Sequence, residues 1–341
     1  MKTNRECKYE FIRVIAMLFV ISIHVIGRMP IDSKQRELFY HMGRLIFFTC
    51  NGLFYMLSGR FSLQRKYDSW ECYIEYYKNK LINLVVPIVF YMFLRYFHDC
   101  GWVIGGAGFW LDFVRNVFNG YSATEYWYLY ILLGNVVLAP FIGPVLQKLG
   151  KKEMQLFLLI GIIVNSLTTY ASFLGDSWNW SYPLGGWSFY FYLGFGIDRI
   201  IETKKEKYVL VSAGIISFII SLIQIYIDNA PYICDLAPTF TFITCTVYIL
   251  LKGIKIENKF LQNCIFFAGR HSFGIYMVHW VIMLKMMDDY LPMKSEPFFV
   301  YLIMIVSITF TIGLLVATFF DATALKLVKK IVSSMLRIRK L

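Results

Sequence analysis

Charge is scarce in this chain: Asp, Glu, Lys and Arg supply 16% of its 341 residues, while 58% are hydrophobic. An ordinary soluble domain carries about 25% charged and about 45–50% apolar residues. A water-soluble fold of this length lacks the interior to hide so much apolar surface, which excludes a soluble enzyme, a nucleic-acid binder and a disordered tail. Cysteine pairs are missing too. The seven cysteines are scattered without a Cys-x-x-Cys, so neither a zinc site nor a disulfide framework is implied; only a Cys100–Cys234 bridge between outer loops stays open. No internal repeat or low-complexity segment is visible, and the chain is read as one domain over 1–341. The first apolar run follows Lys2, Arg5 and Lys8, as a secretory signal would. No small-x-small cleavage site follows it, since Val25-Ile26-Gly27-Arg28-Met29-Pro30 stands there, and it is read as a permanent helix.

What the chain has in abundance is aromatic and aliphatic residues, with 31 Phe, 24 Tyr and 8 Trp. Apolar runs broken by Pro, Gly and charge predict ten membrane helices at 11–27, 44–60, 81–97, 126–147, 154–173, 183–198, 208–227, 236–251, 265–286 and 297–320. The fold class is therefore an all-α integral membrane protein, a helical bundle of about ten transmembrane helices. Lys and Arg set its orientation. With the N-terminus inside, about 25 of the 34 basic residues fall in six inner segments, the last of them a basic tail over 321–341. About eight face out, Arg28, Arg44 and Arg95 among them. Both termini are expected in the cytoplasm, with the tail on anionic lipid. In the longest outer loop, 109–118 is amphipathic and suits the interface. Trp178, Trp180, Tyr182 and Trp187 are expected to form an aromatic belt.

An ionisable group within a membrane helix is a functional candidate by default, because desolvating it costs several kcal/mol without a wet cavity or a partner. The first helix carries two, Arg13 and His24. Eleven steps of about 100° return the chain to within about 20° of the starting face, about 16 Å along the axis. The pair therefore shares one side, Arg13 at the inner interface and His24 toward the outer half. Snorkelling of Arg13 and plain packing of His24 are the bland alternatives.

This Arg-x10-His resembles the signature of the acyltransferase-3 family of membrane acyltransferases. Phe54-Tyr55-Met56-Leu57-Ser58-Gly59 is similar to that family's Phe-Phe-x-x-Ser-Gly, Trp127-Tyr128-Leu129 to its Trp-Tyr/Phe-Leu, and Ser272 to His279 to its Ser-x-x-x-Tyr-x-x-His. One departure stands out. Where the family has Arg-x-x-Arg, this chain reads Lys80-Leu81-Ile82-Asn83, a point charge followed by a neutral amide.

The resemblance implies transfer of an acyl group, most often acetyl, from cytosolic acyl-CoA to a hydroxyl of a cell-surface or lipid-linked polysaccharide. The enzyme would sit in the bacterial plasma membrane, with acetyl-CoA as co-substrate, no tightly bound cofactor and no metal. Arg13, Lys78, Lys80 and Asn83 are the candidates for holding the donor's phosphates. A thiol end about 16 Å deeper then approaches His24. Neutral imidazole there serves as general base or carries the acyl group briefly; the sequence leaves both open. Ser58, Tyr128 and Tyr276 are candidate donors to the oxyanion. Ser272, Tyr276 and His279 share one helix face and either line the cavity or bridge helices. Glu125 beside Trp127 is read as an acceptor contact or a solvated interface residue. The chain ends soon after the tenth span, so transfer is expected to finish within the membrane domain. A transporter or lipid-sugar flippase with Arg13 and His24 along its pathway is the competing reading.

Overall fold

A computed structural model describes residues 6–119, 124–171, 185–226, 236–293 and 297–338. Trp178, Trp180, Tyr182 and Cys234 lie outside the described residues. Among those described there is no strand. The first half of the chain forms α1 (Cys7–Ile26), α2 (Lys34–Phe47), α3 (Thr49–Leu63), α4 (Trp70–Lys80), α5 (Val86–Asp99), α6 (Gly106–Phe118) and α7 (Trp127–Lys148). The second half forms α8 (Lys151–Ala171), α9 (Ser188–Ile200), α10 (Lys204–Ile225), α11 (Pro238–Gly253), α12 (Lys259–Leu284), α13 (Phe298–Ala322) and α14 (Ala324–Ile338).

Each of the ten expected segments overlaps one of these helices. Among the described residues, six helical runs are long and apolar enough to cross a bilayer: Cys7–Ile26, Trp70–Asp99, Trp127–Lys148, Lys151–Ala171, Lys204–Ile225 and Phe298–Leu336. Among the others, α3, α9 and α11 are short. The 13 residues of α9 rise about 20 Å, less than the ~30 Å hydrocarbon core. Neighbouring helices rather than lipid surround them: Phe189 to Ile197 of α9 are all buried, and α3 packs most extensively on α9. The outer helices carry exposed aliphatic rows, such as Leu156, Ile160 and Ile163 on α8 and Ile216, Ile219 and Ile223 on α10. Such rows suit lipid as their solvent.

Local chemistry accounts for the breaks. The expected 44–60 helix is interrupted at Phe48, where the Thr49 hydroxyl donates to Ile46 O at 2.6 Å. Between α4 and α5 the helix widens to a π-turn over Leu81–Val85. Pro87 has no N–H for the carbonyl of Asn83, and Val86 N–H reaches back to Leu81 O. Thr203 and Glu206 close a reciprocal capping box on α10. Arg199 donates to the last carbonyls of α7 and to Leu149 O at 2.9 Å, as a cation does at a helix C-terminus. Arg60 of α3 and Lys252 of α11 both pair with Asp198 of α9, tying three helices at the end of the bundle where α1 begins. The 109–118 stretch falls within α6, whose Phe109 and Phe113 rings pack on Phe93 and Tyr96 of α5. The basic tail is also helical: α14 buries Leu325 and exposes Leu327, Ile331 and Met335 at i, i+4 and i+8.

Candidate active site

α1 and α12 run side by side in the same direction: Gly269, mid-way along α12, packs against Glu10 near the start of α1, and the His24 ring meets His279 and Trp280 further on. This pairing brings the first and last sequence motifs together. The His24 and His279 ring centroids are 5.4 Å apart, and Trp280 meets His24 edge-on at 4.9 Å. His24 is half-buried and makes no hydrogen bond to a described residue. His279 is fully buried. Its Nδ1 lies 2.5 Å from Tyr276 O; a carbonyl only accepts, so Nδ1 carries the proton and Nε2 keeps its lone pair. That Nε2 has no partner among the described residues.

A cavity of about 360 Å³ opens on His24, lined also by Phe48, Asn51, Glu125, Trp127 and Tyr276 with neighbouring apolar residues; His279 lies behind it. Three helix ends build it. Tyr276 of α12 donates its hydroxyl to Glu125 O, and Tyr126 donates to Met277 O at 2.7 Å, so α12 clamps the turn that starts α7. Tyr128, the next ring along, lies 5.8 Å from Tyr276 and 4.5 Å from Tyr55 of α3. Its hydroxyl neighbours Ser58 and stands in the field of Arg13. His24, Tyr276 and Tyr128 thus mark a column through the bundle, with Ser58 and Arg13 at its deeper end.

Other expectations change in detail. Glu125 is not solvated: it is 6% exposed and ion-paired with Arg95 of α5 at 2.6 Å. Arg95, by its sequence only an outward basic residue, also holds Asp99 at 2.9 Å. Arg13 does not snorkel alone but pairs with buried Glu10 at 2.7 Å, a partner that its i−3 spacing on one helix face could have revealed. Ser272 turns away from the cavity and donates to Gly269 O of its own helix at 2.9 Å. Trp187, expected in the belt, packs against Phe48, Tyr55, Trp127 and Tyr190 beside the cavity.

Lys80 reaches Ser62 Oγ at 3.4 Å, one helical turn beyond Ser58 on α3. Lys78 is half-buried in the last turn of α4, and Asn83 is exposed on the π-turn. These three do not line the His24 cavity. A histidine–carboxylate pair joins His271 to Asp321 at 2.7 Å, and Asp321 also accepts from the Tyr91 hydroxyl at 2.9 Å. It joins α12, α13 and α5 away from the cavity, and nothing in the sequence reading singled it out. Among the described residues no cluster of His, Cys, Asp and Glu has the makings of a metal site.

A family model described as an acyltransferase domain matches residues 8–318, spanning α1 to α13 and every cavity residue. No curated protein and no solved structure matches the chain.

Proposed function

The chain belongs to the acyltransferase-3 family, and from that premise we propose that it moves an acetyl group from cytosolic acetyl-CoA to a hydroxyl of a surface or lipid-linked polysaccharide, with His24 as the reacting base. The observation that carries this reading is the placement of His24. It is a cavity-lining imidazole without a hydrogen-bond partner among the described residues, next to a second histidine whose Nε2 has none among them either. A protein that used His24 for packing alone would have satisfied it.

In the proposed step the neutral His24 ring accepts the proton of the acceptor hydroxyl, and that oxygen attacks the thioester carbonyl. The tetrahedral oxyanion collapses, the carbon–sulfur bond breaks, and the leaving thiolate takes the proton from the imidazolium. A short-lived acyl-His24 would split the same transfer into two steps. Tyr276 spends its hydroxyl on Glu125 O, which leaves Tyr128 and Ser58 as the better-placed donors to the oxyanion. Arg13, Lys78 and Lys80 hold the donor's phosphates at the cytoplasmic mouth. Glu125, Trp127 and Asn51 meet the acceptor from the opposite side. Both termini lie in the cytoplasm of a bacterial plasma membrane that the chain crosses ten times.

Purified protein, labelled acetyl-CoA and a cell-envelope acceptor test the reading. Wild type transfers label, and His24→Ala falls to background, a loss of at least about 100-fold for a general base. Undiminished transfer by His24→Ala overturns the assignment, and passage of acceptor without acetylation favours a flippase.

A further inference from the structure

We propose that the groove between α5, α12 and α13, topped by Trp102, holds the hydrocarbon tail of a lipid-carried acceptor. The inference rests on the acetyl-transfer reading above and names its acceptor class: a sugar borne on a membrane lipid, not a free polysaccharide.

Leu94 of α5, Val278, Val281 and Ile282 of α12, and Val316 and Phe320 of α13 wall a space of about 160 Å³. All six are half-buried, so the groove opens sideways, and α5 and α13 belong to runs long and apolar enough to cross a bilayer. Gly274 lets the far end close: a Cβ there would come within 2.7 Å of the Tyr91 hydroxyl and of Ala317. Arg95 and His98 border the other end. Arg95 already pairs with Glu125 and Asp99, and His98 Nδ1 lies 3.0 Å from the same aspartate. Apolar walls beside polar groups that are already satisfied suit hydrocarbon rather than an anion.

Two observations tie the occupant to the reaction. The first is continuity with the His24 cavity. Arg95 borders the groove, Glu125 borders the cavity, and the two meet at 2.6 Å. On α12, Met277 faces the groove, and Tyr276, the residue before it, faces the cavity. One ion pair and a short stretch of helix backbone thus separate a tail in the groove from a sugar at His24. The second is Trp102. It is the one non-glycine residue with a positive φ among those described, at 64°, a strained conformation for so bulky a side chain. Gly101 beside it takes the same left-handed turn at 69° without that strain. The Trp102 N–H donates to Phe97 O at 2.9 Å. Its indole stands edge-on to Phe97 and His98 and lines the groove while 57% exposed. Strain kept for an indole that the fold does not bury points to a clamp on a bound molecule.

Acetyl transfer by the full-length protein in nanodiscs tests the groove, with a cell-envelope lipid extract as acceptor before and after mild acid has cut its sugars from their lipid. Wild type should prefer the intact form at least about tenfold, but tethering to the bilayer alone also favours it, so the variants decide. Trp102→Gly, which takes the left-handed turn freely, and Val281→Trp, which fills the groove from α12, should each raise the KM for the intact form. Each should cut the preference about tenfold, because a tail returned to lipid loses packing and orientation but not its burial. Ile219→Trp, on the exposed row of α10, should change it less than about twofold. In wild type, farnesyl phosphate with a benzophenone at its tail should crosslink to the α5 and α12 walls and be displaced by the intact extract, not the cleaved one. A preference that survives both groove variants, or crosslinks only outside the groove, means that ordinary bilayer lipid fills it; the proposal falls and the acetyl-transfer reading stands. Equal wild-type rates on the two forms have the same consequence. No transfer to either form overturns that reading as well.

Discussion

Arg95 and Glu125 show how much a single buried pair carries in this protein. Glu125 borders the cavity through its side chain and holds α12 through its backbone carbonyl, and Arg95 neutralises it at 2.6 Å. Removing one partner of such a pair leaves an uncompensated buried charge, at a cost of about 3–5 kcal/mol. Arg95→Met should therefore lower the thermal midpoint in detergent sharply, and the double variant with Glu125→Gln should regain part of the loss; a double variant less stable than Arg95→Met contradicts the pairing. His279 yields a prediction of the opposite kind. Its Nε2 has no partner among the described residues, so His279→Gln should fold while transfer falls at least about tenfold. Full activity would make this histidine a packing residue. The partner of Arg95 could not be read from spacing along the chain, because Arg95 and Glu125 stand thirty positions apart.

At the scale of elements, the contact between α3 and α9 depends on two glycines. A Cβ on Gly59 would run into the Phe191 carbonyl, and one on Gly194 would strike the Met56 backbone. Backbone cannot swing aside as a side chain does. Gly59→Ala and Gly194→Ala should each destabilise the protein by about 1–3 kcal/mol or more, read as a lower unfolding midpoint. Gly134 on α7 has nothing within 4 Å of its added Cβ, so Gly134→Ala should instead stabilise by about 0.5–1 kcal/mol, the helix preference of alanine over glycine. Equal effects at all three positions would remove close packing as the reason for the first two. The Phe-Tyr-Met-Leu-Ser-Gly stretch can be read as a motif in the chain; that its glycine admits a neighbouring backbone follows only from the helix that lies against it. The break at Phe48 is equally hidden, because Leu45 to Asn51 contain no Pro or Gly.

For the whole molecule, the basic residues make the sharpest prediction. Reporter fusions after residue 119 and at the C-terminus should report opposite sides, with both termini cytoplasmic. A C-terminal reporter active on the outside would overturn the even count and the ten-crossing topology together. The ion pairs of Asp198 with Arg60 and Lys252, and the aliphatic rows exposed on α8 and α10, agree with charge gathered at one end and lipid around the sides.

Composition and hydrophobic runs alone determine that this is a helical membrane protein, because a bilayer tolerates long apolar helices and little else. The residues along the first helix likewise place Arg13 and His24 on one face, since helix geometry is local. What only the tertiary structure decides is company: that Arg95 takes the charge of Glu125, that His279 rather than Ser272 comes to His24, and that Arg65 shares the Tyr76 ring with Lys80. These choices depend on which helices lie together and how deep each sits. Side-chain packing between helices sets both, and a linear pattern does not record it.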